Sequence, residues 1–288
     1  MKILVLGASG MLGSAIINVL SEKQNWRVLG TVRSNNSKKF FSPKIASNLI
    51  EVSNIINLDC LVKIFDKAKP DVVINCISLR KELLKKADPL MMIPIYSLLP
   101  HQLSRLCKET GVRLVQMSSD GVFSGKKGNY KEDDAKDSED IYGVAKKLGE
   151  LDEPHTVTIR TSIIGHEIGS KNGLVEWFLS QKKKCECFSG AIFSGFPTVE
   201  IAKIIKNIII PNKQLKGIYH IASKPISKCE LLTLIIKEYG LKIKLTSNKK
   251  IKINRSLNAD RFHLVTGYVS PDWKDLIKSM HLYKQKFL

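Results

Sequence analysis

Lys2-Ile3-Leu4-Val5-Leu6-Gly7-Ala8-Ser9-Gly10-Met11-Leu12-Gly13 is the stretch whose reading decides the fold. Its apolar, partly β-branched start reads as a buried strand, and Met11 to Glu22 carry apolar residues at helical spacing. Glycines between a strand and a helix have a physical use. Gly7 allows a tight turn, Gly10 lets the backbone approach a pyrophosphate, and Gly13 lets helix and strand pack closely. The free N–H groups and positive end of the helix complete an anion seat. Gly7, Gly10, Met11, Leu12 and Gly13 are therefore candidate dinucleotide-binding residues.

Working outward, short β-branched runs alternate with helical patterns, the signature of βαβ units and a parallel sheet. The expected strands are Lys2 to Leu6, Arg27 to Val32, Leu49 to Val52, Asp71 to Asn75, Arg113 to Ser118 and Thr156 to Arg160. The expected helices are Met11 to Glu22, Leu61 to Lys67, Ile95 to Glu109 and Tyr142 to Leu151. Beyond Arg160 the alternation gives way to loops, helices at Val199 to Ile210 and Lys228 to Tyr239, and a short strand, Gly217 to Ala222. The pattern predicts an α/β chain: a Rossmann-type doubly wound parallel sheet over 1–160, and a smaller, mixed α/β, mainly substrate-binding part over 161–288.

Cofactor choice is written at the strand ends. Where an acid would hold a ribose 2′-hydroxyl, the second strand ends Thr31-Val32-Arg33-Ser34. A guanidinium suits a 2′-phosphate, so Arg33 argues for NADPH over NADH, with NADH left possible. Asn75, Cys76, Ile77 and Ser78 leave the fourth strand at its carboxyl end, where ligands of doubly wound sheets sit.

The strongest constellation is Ser118-Ser119-Asp120 with Tyr142-Gly143-Val144-Ala145-Lys146. Tyr142 and Lys146 are four apart and share a helix face, which places an ammonium near a phenol and a cofactor ribose. A phenol of ordinary pKa ~10 is a poor proton donor and base near neutrality, and a nearby cation is expected to lower it. Ser119 can hydrogen-bond a carbonyl oxygen. Tyr142, Lys146 and Ser119 are the candidate catalytic residues, and the first two also contact the cofactor.

Composition sets bounds. A chain of 288 residues, 43% hydrophobic, can bury a sizeable core. No apolar run approaches the ~20 residues of a membrane span, and nothing reads as a signal peptide, so a cytoplasmic location is expected. The six cysteines lack paired C-x-x-C spacing and read as reduced thiols, with no residue assigned to a metal. The net charge of +19 is mostly dispersed lysine without interleaved aromatics, so neither nucleic acid nor a membrane is expected as a partner.

GASGMLG, PDVVINC, SSDGVFSGKKGNYKEDD, IYGVAKKLGE and IRTSIIG together resemble the dTDP-4-dehydrorhamnose reductase family of the extended short-chain dehydrogenase/reductase superfamily. The likeness is concentrated in the first 165 residues and continues through AIFSGFPTVEIAK and GIYHIAS. It implies reduction at C4 of a dTDP- or UDP-linked 4-keto-6-deoxyhexose for lipopolysaccharide or capsule sugars, and a homodimer is the family-like expectation. In that reading Tyr142 is the acid, Lys146 tunes it, Ser119 polarises the keto oxygen, and Asp120, Ile163 and Asn172 face substrate. His166, Lys171 and Arg255 are further candidates for the diphosphate or sugar. Three departures fall near the site: Gly121 for an aromatic, Ile163 for a tryptophan, and Tyr96 for an asparagine. Tyr96 is expected to pack rather than bind. An epimerase or dehydratase, a reductase of UDP-linked N-acetylated sugars, and a noncatalytic cofactor-binding regulator remain as alternatives.

Overall fold

A computed structural model describes residues 1–79, 83–84, 86–169 and 172–288. Its strands are β1 (Lys2–Leu6), β2 (Arg27–Val32), β3 (Leu49–Glu51), β4 (Val72–Asn75), β5 (Arg113–Ser119), β6 (Thr156–Thr161) and β7 (Ile163–Ile164). There follow β8 (Lys184–Phe188), β9 (Ala191–Phe193), β10 (Phe196–Pro197), β11 (Gly217–His220), β12 (Ile226–Ser227), β13 (Lys244–Asn248) and β14 (Ile253–Asn254). The longer helices are α1 (Met11–Ser21), α2 (Leu58–Ala68), α3 (Leu99–Glu109), α4 (Ile141–Leu148), α5 (Lys228–Tyr239) and α6 (Trp273–Phe287).

Seven strands form a parallel sheet in the order β11-β6-β5-β4-β1-β2-β3. Alternation along β1 shows why both faces are covered. Ile3 and Val5 join the core beneath α1, whereas Leu4 and Leu6 join the core with Leu61 and Phe65 of α2 and Leu103 of α3. The chain runs outward through β2 and β3, then returns to β4 and proceeds the other way. The reversal lies between β1 and β4, which opens a crevice at their carboxyl ends.

The first six strands and the helix over 228–239 fall where the pattern places them, within a residue at each end. Three differences stand out. The helix expected over Ile95 to Glu109 is regular only from Leu99; Pro94 has no N–H to donate, and Pro94–Leu98 is wound as a π-helix. The helix over Val199 to Ile210 likewise divides into an α-helical Thr198–Ile204 and a π-helical Ile205–Ile209. The short strand at Gly217 belongs to the main sheet, pairing with β6 from Gly217↔Val157 to His220↔Arg160. Its pairing partner is some sixty residues away, a relation no local pattern carries.

The cysteine reading needs correction. Cys187 and Cys229 are joined by a disulfide, with their Cα atoms 5.0 Å apart. On β8, Cys185 and Cys187 share the buried face, and α5 brings Cys229 against it. Cys60, Cys76, Cys107 and Cys185 are free thiols. Among the described residues no helix is long and apolar enough to cross a membrane.

Candidate active site

The glycine turn meets the loop after β4 at the crevice. Gly7 has φ +78°, and a β-carbon there would come within 3.1 Å of the Cys76 carbonyl oxygen. At Gly13 a β-carbon would strike the Gly7 carbonyl at 2.1 Å, so only glycine lets α1 lie this close to β1. Gly10, by contrast, meets only the Gly7 oxygen, at 3.4 Å, among the described residues, and as a glycine it brings no side chain to cap the start of α1. These are the features of a seat whose occupant touches backbone N–H groups. Met11 and Leu12 follow in the first turn, and Arg33 stands exposed just past β2.

Asn75 is turned inward. Its Nδ2 donates to Gln116 Oε1 at 2.9 Å and its Oδ1 accepts from Ile77 N at 3.2 Å, so it shapes the Cys76–Ser78 turn with its polar atoms already engaged.

Asp140 starts α4 by accepting from Gly143 N at 2.8 Å. The helix then presents Tyr142 and Lys146 beneath the end of β5. Ser119 Oγ accepts from Gly121 N at 3.0 Å, donates to Asp120 Oδ1 at 3.2 Å, and stands beside the Tyr142 phenol, whose ionised form it favours. Lys146 is buried; its Nζ donates to the Met117 carbonyl at 3.1 Å and lies 4.7 Å from the Tyr96 ring centroid.

This corrects the expectation that Lys146 lowers the Tyr142 pKa. Burial pushes the Tyr142 phenol up, with the Tyr96, Asp120 and Asp140 side chains adding to it against the Ser119 bond. Burial lowers Lys146 to about 8, opposed by Cys76 and Glu150. Tyr142 is thus held as a protonated donor, the form a ketone reduction consumes. Asp120 is raised to about 6 by burial, against Ser119 and Ser162 bonds and the positive charges of Arg255 and Lys228.

On the substrate side, Ile163 is exposed on β7 and pairs with Phe196. Asn172 N donates to Glu167 Oε2 at 3.2 Å. Lys171 lies outside the described residues. His166 is not a surface group: it is buried, with Nδ1 bonded to Glu176 and Nε2 2.8 Å from Tyr239 Oη, so neither nitrogen remains for a phosphate. Arg255 faces Asp120 and reaches Asp140 at 3.4 Å.

Sequence reasoning missed three contributors. Lys228 and Ser162 reach Asp120 only through tertiary folding. Glu150 ties the ends of β5 and β6 to α4, bonding Arg160 Nε and Nη2 at 2.7 and 2.8 Å and Ser118 Oγ at 2.8 Å. In the sequence it falls inside the helix expected over Tyr142 to Leu151, where nothing sets it apart.

A glycine-rich turn at the switch point of a doubly wound sheet, beside a Ser/Tyr/Lys cluster on β5 and α4, defines a protein of the short-chain dehydrogenase/reductase type. The model of the RmlD substrate binding domain matches residues 1–281, and the chain belongs to that family. It is 24% identical to the dTDP-4-dehydrorhamnose reductase of Aggregatibacter actinomycetemcomitans over 315 aligned positions, 99% of each chain. It is also 25% identical over 255 residues to the methionine adenosyltransferase 2 subunit beta of Danio rerio, spanning 83% of this chain and 74% of the relative. A solved dTDP-4-dehydrorhamnose reductase from Bacillus anthracis, in complex with NADP, has the same fold: TM-score 0.79, 18% identity, 98% of this chain and 99% of that one.

Proposed function

We propose that this protein is an NADPH-dependent reductase of the C4 keto group of a nucleotide-linked 4-dehydro-6-deoxyhexose, supplying sugars for lipopolysaccharide or capsule. The observation that carries this reading is the meeting of Ser119 and Tyr142 around Gly121, beside buried Lys146, at the carboxyl edge of the sheet that bears the open Gly10 turn. The NADP in the Bacillus anthracis reductase and the name of the Aggregatibacter relative support it.

Gly7, Gly10 and Gly13, with Met11 and Leu12, fit a pyrophosphate because the cradle at Gly10 has room that a side chain would fill. Arg33 fits a 2′-phosphate, and Cys76, Ile77 and Ser78 border the inner end. Bound NADPH supplies the hydride. The chain's own residues do the rest: Ser119 Oγ holds the keto oxygen, and Tyr142 Oη gives that oxygen a proton as the carbon is reduced. Lys146 orients the ribose and lets the phenolate recover its proton. Asp120, Ile163 and Asn172 border the sugar and diphosphate, most of whose cover comes from residues 161–288.

A regulatory subunit that binds the cofactor without catalysis is the second reading, raised by the methionine adenosyltransferase subunit among the relatives. Retention of Ser119, Tyr142 and Lys146, brought together at one place in the fold, weighs against it. The test is NADPH oxidation with a panel of dTDP- and UDP-linked 4-keto-6-deoxysugars. Turnover of one sugar, lost in Tyr142→Phe by about 10² to 10⁴-fold with NADPH binding retained, is expected. Tight NADPH binding without turnover of any panel member would overturn the reductase reading for those sugars.

A further inference from the structure

Tyr96 stands at the middle of the π-helical Pro94–Leu98 turn, and its side chain is almost wholly buried, at 2% exposure. It touches each part of the site. Its ring lies under the Lys146 ammonium, 4.7 Å from Nζ, and edge-on to the Tyr142 ring at 5.3 Å with an interplanar angle of 87°. Its hydroxyl is 2.9 Å from Ser78 Oγ and accepts from Leu79 N at 2.9 Å. The Tyr96 carbonyl is pressed against Gly149, where a β-carbon would come within 1.8 Å, so the π turn and the end of α4 are packed backbone to backbone. Packing of this kind was expected of Tyr96; the ties to Lys146 and Ser78 were not.

We infer that Tyr96 is a positioning residue of this site: its ring seats the Lys146 ammonium, and its hydroxyl ties that seat to the Ser78–Leu79 turn at the cofactor edge. The inference rests on the reading of Lys146 as a cofactor-holding group. A buried ammonium needs favourable surroundings to stay charged, and three sources face it. Met117 gives a carbonyl from β5, Glu150 a negative charge beyond α4, and Tyr96 a ring face. Cys76, from the end of β4, also faces it, but burial raises that thiol to about 12 and keeps it neutral. The ring attracts the cation without accepting its proton, so the ammonium can still turn a donor toward a ribose hydroxyl. Tyr96 stands on a π turn, a feature frequent at functional sites.

The test is NADPH affinity, without sugar, from about pH 6 to about pH 10 for the parent, Tyr96→Phe and Tyr96→Leu. In the parent, affinity falls as Lys146 loses its proton, near pH 8. Tyr96→Phe keeps the ring: the midpoint stays, while affinity weakens several-fold because the Ser78–Leu79 turn is released. Tyr96→Leu removes the ring, and the midpoint moves down by roughly 0.4 to 1.5 pH units. A leucine variant with the parent's midpoint, or a phenylalanine variant whose midpoint drops as far as leucine's, overturns the inference. Should Tyr96→Leu fail to fold, Tyr96→Phe and Ser78→Ala carry the test; parent affinity in both overturns it. A parent that does not bind NADPH defeats the proposed function instead. The seat is then read in crystal structures of the parent and Tyr96→Leu: Lys146 Nζ displaced from the Met117 carbonyl supports it, and Nζ unmoved overturns it.

Discussion

The Tyr142 ring lies directly over Gly121: a β-carbon at Gly121 would come 2.8 Å from Tyr142 Cε1 and 3.2 Å from Cδ1. The glycine standing where the family often has an aromatic is therefore part of how the phenol is placed. Gly121→Ala is expected to push the ring away from Ser119 and lower kcat at least tenfold, with NADPH affinity within about twofold of the parent. Steady-state kinetics beside cofactor titration checks this, and an alanine variant with parental kcat would show that the ring has room to yield.

Lys146 works against the stability of the fold. Its pKa is about 8 in the folded chain against an ordinary 10.5, so below pH 8 the folded state carries a cation that burial disfavours. The penalty is full below pH 8 and fades as pH rises from 8 to 10.5, on the order of 3 kcal/mol at most. Lys146→Met is expected to raise Tm at pH 7 by several degrees while abolishing turnover, and the two melting curves should converge near pH 10. Thermal unfolding across this range tests it; a methionine variant less stable at pH 7 would refute it.

His220 predicts acid sensitivity. It is wholly buried, with Nε2 3.1 Å from Arg160 Nη1 and Nδ1 3.0 Å from the Tyr130 carbonyl. The arginine can only donate, so Nε2 accepts and Nδ1 carries the proton of a neutral ring. Burial, then Arg160, lower its pKa to about 4. The unfolded chain takes up a proton at its ordinary 6.5 while the folded chain does not, so stability falls as pH drops from 6.5 to 4. The loss is about 3 kcal/mol at most. His220→Gln should flatten this part of the stability curve, and an unchanged slope would assign it to other groups.

The Cys187–Cys229 bond closes a loop of sequence separation 42 and ties β8 to the start of α5. Reduction, or Cys187→Ser, is expected to cost about 2 to 4 kcal/mol, read as a lower urea midpoint. Equal midpoints with and without reductant, with the free thiols counted in each, would show that the bond adds nothing in solution.

Much of this protein is legible one segment at a time. Apolar runs and helical spacing locate β1 to β6 and α5, because both faces of a parallel sheet must be buried. The glycines at 7, 10 and 13 announce a phosphate seat: positions 7 and 13 leave no room for a β-carbon, and at Gly10 a side chain would fill the space a phosphate needs. Tyr142 and Lys146 share a face by helical geometry alone. What the tertiary structure decided are relations between distant segments. β11 closes the sheet edge, His166 is sealed by Glu176 and Tyr239, Cys187 finds Cys229, and the Lys146 ammonium sits on Tyr96, leaving the Tyr142 phenol protonated by burial. Periodicity reports which side of an element is buried. Which group lies across from it, and hence the charge state of a buried acid or base, depends on packing that no single segment encodes.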